Sequence, residues 1–212
     1  MLNSKMIVAA MSAASLWLSG PGMVHAQTTY QHQTAAAAGK AILACPKRAT
    51  AANPNFAELD ISTGVANRAR WMVLSPPTGS IGTTVPPISV PATWAHNTTA
   101  SRWVTTPSAA AGSPPAGVYS YWLDFGMVTC PQTYVCTVSI VAGVAAEDVG
   151  AMRLDSGTVI TPPGNFNQTG LTPIAKAWPG LTGYHTLYVS VYNAVAGETG
   201  LHLSGKLRRQ CF

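Results

Sequence analysis

Tyr119-Ser120-Tyr121-Trp122-Leu123-Asp124-Phe125 carries its large apolar groups at every second position. Side chains along a β-strand point alternately to its two faces, so Tyr119, Tyr121, Leu123 and Phe125 share one face and Ser120, Trp122 and Asp124 the other. The same period returns in Val138, Ile140, Ala142 and Val144, with Thr137, Ser139 and Val141 opposite. It returns again in Leu187, Val189 and Val191, with Tyr188, Ser190 and Tyr192 opposite. Leu201, Leu203 and Leu207 alternate in turn with His202, Ser204, Lys206 and Arg208. One apolar face per strand, with Gly or Pro between strands, predicts an all-β protein: an antiparallel β-sandwich of two sheets packed face to face.

Outward from these strands the pattern weakens. Arg70 to Leu74 reads as a further strand ended by Ser75-Pro76-Pro77, because proline cannot donate to a sheet ladder. From Pro76 to Pro91 five prolines predict an irregular surface connection. The expected β domain covers residues 44–212. Before it, residues 27–43 read as a flexible leader, with a short helix over Thr34 to Leu43 as the alternative, since Ala is the best helix former.

The first 26 residues have an export pattern. Lys5 precedes an apolar run from Met6 to Leu18, then Gly20-Pro21-Gly22, then Val24-His25-Ala26, a small-residue exit. The run is shorter than the roughly 20 residues a membrane helix needs. Residues 1–26 are therefore expected to be a signal peptide, leaving a secreted or periplasmic chain with no membrane attachment. Loss of Lys5 lowers the formal charge from +5 to +4. The remaining cations are scattered and do not alternate with aromatics, so nucleic acid is not an expected partner.

Four cysteines, Cys45, Cys130, Cys136 and Cys211, follow the signal. An even number in an exported chain favours disulfides over metal, and four allow three pairings. Pro131 to Val135 can turn back on itself, which predicts Cys130–Cys136 and, by remainder, Cys45–Cys211. A zinc site would need two close pairs instead.

The order of features from Trp94 to Leu207 resembles secreted bacterial jelly-roll domains of the galactose-binding-like type. The resemblance runs through Trp94, Trp103, Gly117-Val118-Tyr119-Ser120-Tyr121, Ala145-Ala146-Glu147-Asp148, Met152-Arg153-Leu154-Asp155, Gly183-Tyr184-His185-Thr186-Leu187 and Gly200-Leu201. It implies a jelly-roll-like sandwich, and carbohydrate-binding modules are common among such domains. No ligand motif of that family matches residue by residue.

Catalytic constellations are weak. Asp155-Ser156-Gly157-Thr158 has the form of an aspartic-protease turn, but that chemistry needs two carboxylates sharing a proton and the chain has one copy. A hairpin turn with a positive φ at Ser-Gly is the simpler reading. No Gly-x-Ser-x-Gly elbow is present. His185 and His202 are expected to be solvated.

The leading expectation is a secreted non-catalytic binding module for carbohydrate or a cell-surface glycan. Its expected site is a rim of loops holding Glu147, Asp148, Asn165, Trp178 and Tyr184, where rings stack on sugar faces and carboxylates take the hydroxyls. A structural calcium held by Glu147, Asp148 and Asp155, with Asp124 as a further candidate, is the one cofactor considered, against a solvated acidic loop. The rival is a structural or adhesive subunit that self-associates through its β edges and outward rings, among them Trp122, Tyr188 and Tyr192. A hydrolase is the third reading.

Overall fold

The computed structural model describes residues 41–64, 71–75, 80–84, 86, 90–107, 114–160 and 170–212. The export signal, most of the leader and Asn165 lie outside the described residues. Eleven strands follow in chain order: β1 Ala41–Leu43, β2 Ala57–Asp60, β3 Met72–Ser75, β4 Ser80–Thr83, β5 Gly117–Met127, β6 Cys136–Glu147, β7 Val149–Leu154, β8 Val159–Ile160, β9 Thr172–Pro179, β10 Tyr184–Asn193 and β11 Gly200–Cys211.

They form two layers. One sheet runs β4-β3-β5-β10-β7-β8, with β1 added parallel to the far part of β5; the other runs β2-β11-β6-β9. All the remaining pairings are antiparallel. The chain changes sheet from β5 to β6 and back at β7, then again at β9, β10 and β11, which is the interleaving a jelly-roll-like sandwich requires.

The alternation fixes the interior. Tyr119, Tyr121, Leu123 and Phe125 from β5, with Leu187, Val189 and Val191 from β10, meet Val138, Ile140 and Val144 from β6 and Leu201, Leu203 and Leu207 from β11 in one buried cluster. The stretch expected as leader ends differently: Ala41–Leu43 is a strand, because Leu43 is wholly buried in that core. The connection rich in proline also contains a strand, β4, paired to β3.

A smaller core lies on the outer surface of the second sheet. The segment 90–104 folds over it, and Trp94 and Trp103 pack together with ring centroids 4.3 Å apart. Trp103 Nε1 donates to the Ala95 carbonyl at 2.7 Å, and its backbone N–H donates to Asn97 Oδ1 at 2.8 Å. This cover buries His202, which the strand pattern had placed on a solvated face. Arg209 is also buried and donates from Nη1 to the Val128 carbonyl at 2.6 Å. It follows the inward parity of Leu207 and Cys211, so geometry overrides its charge.

The disulfides are Cys45–Cys130 and Cys136–Cys211, not the expected Cys130–Cys136 and Cys45–Cys211. The turn after Cys130 does form, with Tyr134 N–H donating to the Pro131 carbonyl. Strand register decides the pairing instead. Cys136 lies directly opposite Cys211 in the β6–β11 ladder. Leu43 lies beside Met127 in the parallel pair, and Val128 N–H donates to the Leu43 carbonyl, so the two chains run on together to Cys45 and Cys130. The bridges close sequence separations of 85 and 75 residues. Each is worth about 4 to 5 kcal/mol in the chain-entropy account.

Candidate functional site

The outer face of the first sheet presents an exposed ring beside carboxylates where β5 ends and β10 begins. Tyr184 is opposite Gly126, and both point away from the core. The Tyr184 ring lies against Gly126: a Cβ there would sit 2.8 Å from its Cε1 and 3.3 Å from Ile42 Cδ1. Glycine is thus what lets the ring rest on the sheet, while 69% of the residue stays exposed.

One step along the same face, Asp124 is opposite Thr186, diagonal to Tyr184. The Thr186 hydroxyl donates to Asp124 Oδ1 at 2.6 Å, and its backbone N–H donates to Asp155 Oδ1 at 2.8 Å. Asp155 also meets His185 Nδ1 at 2.7 Å through its other oxygen, and His185 Nε2 meets the Thr182 carbonyl at 2.9 Å. Two carboxylates are therefore held beside each other by one threonine. Asp155 reaches this position because its own φ is +50°, a left-handed conformation that Asp tolerates; the expected positive φ at Ser-Gly falls one residue earlier.

The ring and carboxylates continue into an aromatic row. Met72, Trp122, Tyr188, Arg153 and Val159 are cross-strand neighbours, and the Arg153 guanidinium lies 5.1 Å from the Tyr188 ring centroid. Trp122 is buried despite its outward direction, so only part of this face is open.

The five residues expected to form one rim do not converge. Glu147 and Asp148 end β6, whereas Trp178 is opposite Val138, nine positions away and roughly 30 Å at about 3.3 Å per residue. Trp178 belongs to strand β9 rather than to a loop, and shares the inward direction of Val138 at the edge of the core. Tyr184 is at the Trp178 end but on the other sheet, facing out. Asn165 is outside the described residues.

The calcium candidates separate likewise. Asp148 N–H donates to the Tyr192 carbonyl and Asp155 N–H to the Thr186 carbonyl, six residues apart on β10 and roughly 20 Å. Among the described residues, the potential metal-ligating atoms that gather three together within 4.8 Å of one another are the sulfurs of Cys45, Cys130 and Cys211, all in disulfides.

At the Glu147 end the chemistry is that of a crowded acidic turn. Asp148 Oδ2 accepts the Ala194 N–H at 2.8 Å, and Thr199 donates to the Glu147 carbonyl. Glu147 Oε2 is buried without a hydrogen-bond partner. Burial, then Asp148 and Glu198, push its carboxyl up to about 8, so it is protonated at neutral pH.

The sequence reading passed over Gly126 and Thr186 as site residues. The Gly-Tyr-His-Thr run ahead of an alternating strand and the Asp-Phe-Gly run ending another were visible, but only register joins them.

No protein-family model matches the chain, and no curated protein matches it. Fold and covalent structure define its class: a two-layer, disulfide-stapled antiparallel β-sandwich.

Proposed function

We propose that the chain is an exported, non-catalytic binding domain for carbohydrate or a surface glycan, docking on the first sheet at Tyr184. The observation that carries this reading is the exposed Tyr184 ring resting on Gly126 beside the Asp124–Thr186–Asp155 network. An exposed aromatic ring can stack on the C–H side of a sugar, and polar side chains beside it can meet the hydroxyls. The two disulfides suit an oxidising compartment outside the cytoplasm. Among the described residues no helix is long and apolar enough to cross a membrane.

Assembly through β edges has less support. The longest edge strand, β9, carries Pro173 and Pro179 near its ends and exposed Lys176 between them, devices that obstruct strand addition. A glycan array read with the unaltered protein and with Tyr184→Ala tests the proposal. Signal lost in the variant at unchanged melting temperature supports it. An array with no signal, alongside high-mass species on a sizing column, would favour the assembling subunit.

A further inference from the structure

The two disulfides meet. Cys130 Sγ, bonded to Cys45, lies 3.7 Å from Cys211 Sγ, bonded to Cys136. The sulfurs of Cys45, Cys130 and Cys211 all lie within 4.8 Å of one another. The bridges differ in access. Cys45 and Cys130 are partly exposed, whereas Cys136 is 8% exposed and Cys211 wholly buried. Disulfides exchange by attack of a thiolate on a sulfur, so an attacking group must reach the bond, and the inner bridge is closed to one from solvent.

We infer that the four cysteines form one exchange relay, in which the outer Cys45–Cys130 bridge carries electrons between an external dithiol and the buried Cys136–Cys211 bridge. The external dithiol reduces the outer bridge, is itself oxidised to a disulfide, and leaves thiols on Cys45 and Cys130. The Cys130 thiolate attacks Cys211 Sγ; the Cys136–Cys211 bond breaks, Cys130–Cys211 forms, and Cys136 leaves as a thiolate that takes a proton. The Cys45 thiolate then attacks Cys130 Sγ, re-forming Cys45–Cys130 and releasing Cys211. Two electrons have passed from the external dithiol to the inner pair, and the outer bridge is restored. Run backwards, with an external disulfide as acceptor, the same steps oxidise the inner pair.

Proximity carries the argument. The Cys130 to Cys211 separation is already that of two sulfurs in van der Waals contact, so the exchange needs no opening of the sandwich, and intramolecular attack of this kind has a large effective concentration. Its chemical partner is a dithiol–disulfide couple, and dithiothreitol serves as the probe.

Cys45→Ser leaves Cys130 as a thiol beside Cys211. Alkylation of the folded variant at pH 8, followed by peptide mapping, should find the label on Cys136 as well as on Cys130, together with a Cys130–Cys211 linked peptide. A label confined to Cys130 overturns the relay. If the variant does not fold, limiting dithiothreitol on the unaltered protein, quenched by acid and mapped, gives the same decision. Cys130–Cys211 peptides, or a free inner pair beside an intact outer bridge, are expected while near-ultraviolet circular dichroism stays native. An inner bridge that opens only as that signal is lost overturns the inference.

Discussion

His202 Nε2 is 2.8 Å from Ser101 Oγ beneath the Trp103 ring, and its other ring nitrogen is buried without a partner. Burial presses this imidazole down to about 4, a hydrogen bond with the Ser101 backbone opposing only in part, so the ring is neutral in the folded protein. The ordinary, unfolded value is about 6.5. The unfolded chain therefore takes up a proton that the fold refuses. Stability tied to His202 is complete above pH 6.5 and is lost as pH falls toward 4, by up to about 3 kcal/mol. Thermal melting across that range should show a slope in the unaltered protein that His202→Gln flattens. Parallel slopes would refute the assignment.

Glu147 acts in the opposite sense. Its folded value of about 8 stands above the ordinary value of 4.5, so the fold holds a proton that the unfolded chain releases. The associated stability is complete below pH 4.5 and is lost as pH rises through 8. Glu147→Gln keeps the shape and removes the titration. Its melting temperature should exceed that of the unaltered protein at pH 9 and approach it at pH 5; a constant gap between the two curves would count against the buried carboxyl.

At the proposed glycan surface, Gly126→Val puts a branched side chain where the Tyr184 ring now rests. The ring must lift, and affinity for the array-selected ligand should fall at least tenfold, about 1.4 kcal/mol, as for loss of an aromatic anchor. The substitution faces away from the main core, and valine suits a strand, so melting should change little. Binding measured by calorimetry that survives the substitution intact would exclude this face.

Trp103 and Trp178 should behave differently. Trp103 is wholly buried, packed at a tilt against Trp94, and hydrogen-bonded to the Ala95 carbonyl. Trp103→Ala should cost about 3 to 5 kcal/mol in chemical denaturation. Trp178 is only partly buried at the sheet edge, and Trp178→Ala should cost less while sparing glycan binding. Equal costs would mean that the segment 90–104 is not a true second core.

The central strands were legible because period-two alternation is written within a few residues: the inward faces of β5, β6, β10 and β11 stand as read. What failed depends on partners far away in sequence. The cysteine pairing follows from the β6–β11 and β1–β5 registers, which no local turn encodes. Strand β9, Thr-Pro-Ile-Ala-Lys-Ala-Trp-Pro, hides behind two prolines because an edge strand needs only one ladder. Trp122 and His202 follow the outward parity, but outward means solvent only where nothing is laid over the sheet. The same limit governed the site: Tyr184 was singled out by its chemistry, while its true neighbours, Gly126 and Asp124, come from the strand beside it.

Strand β11 lies between β2 and β6 in its sheet, yet it follows every other described strand in the chain. An interior strand of the sheet thus arrives after its neighbours, and until it does β2 and β6 lack the strand that joins them. Such long-range closure makes for slow folding. Until β11 is in place, the Cys136–Cys211 bridge, which lies across the β6–β11 ladder, has no register to set it.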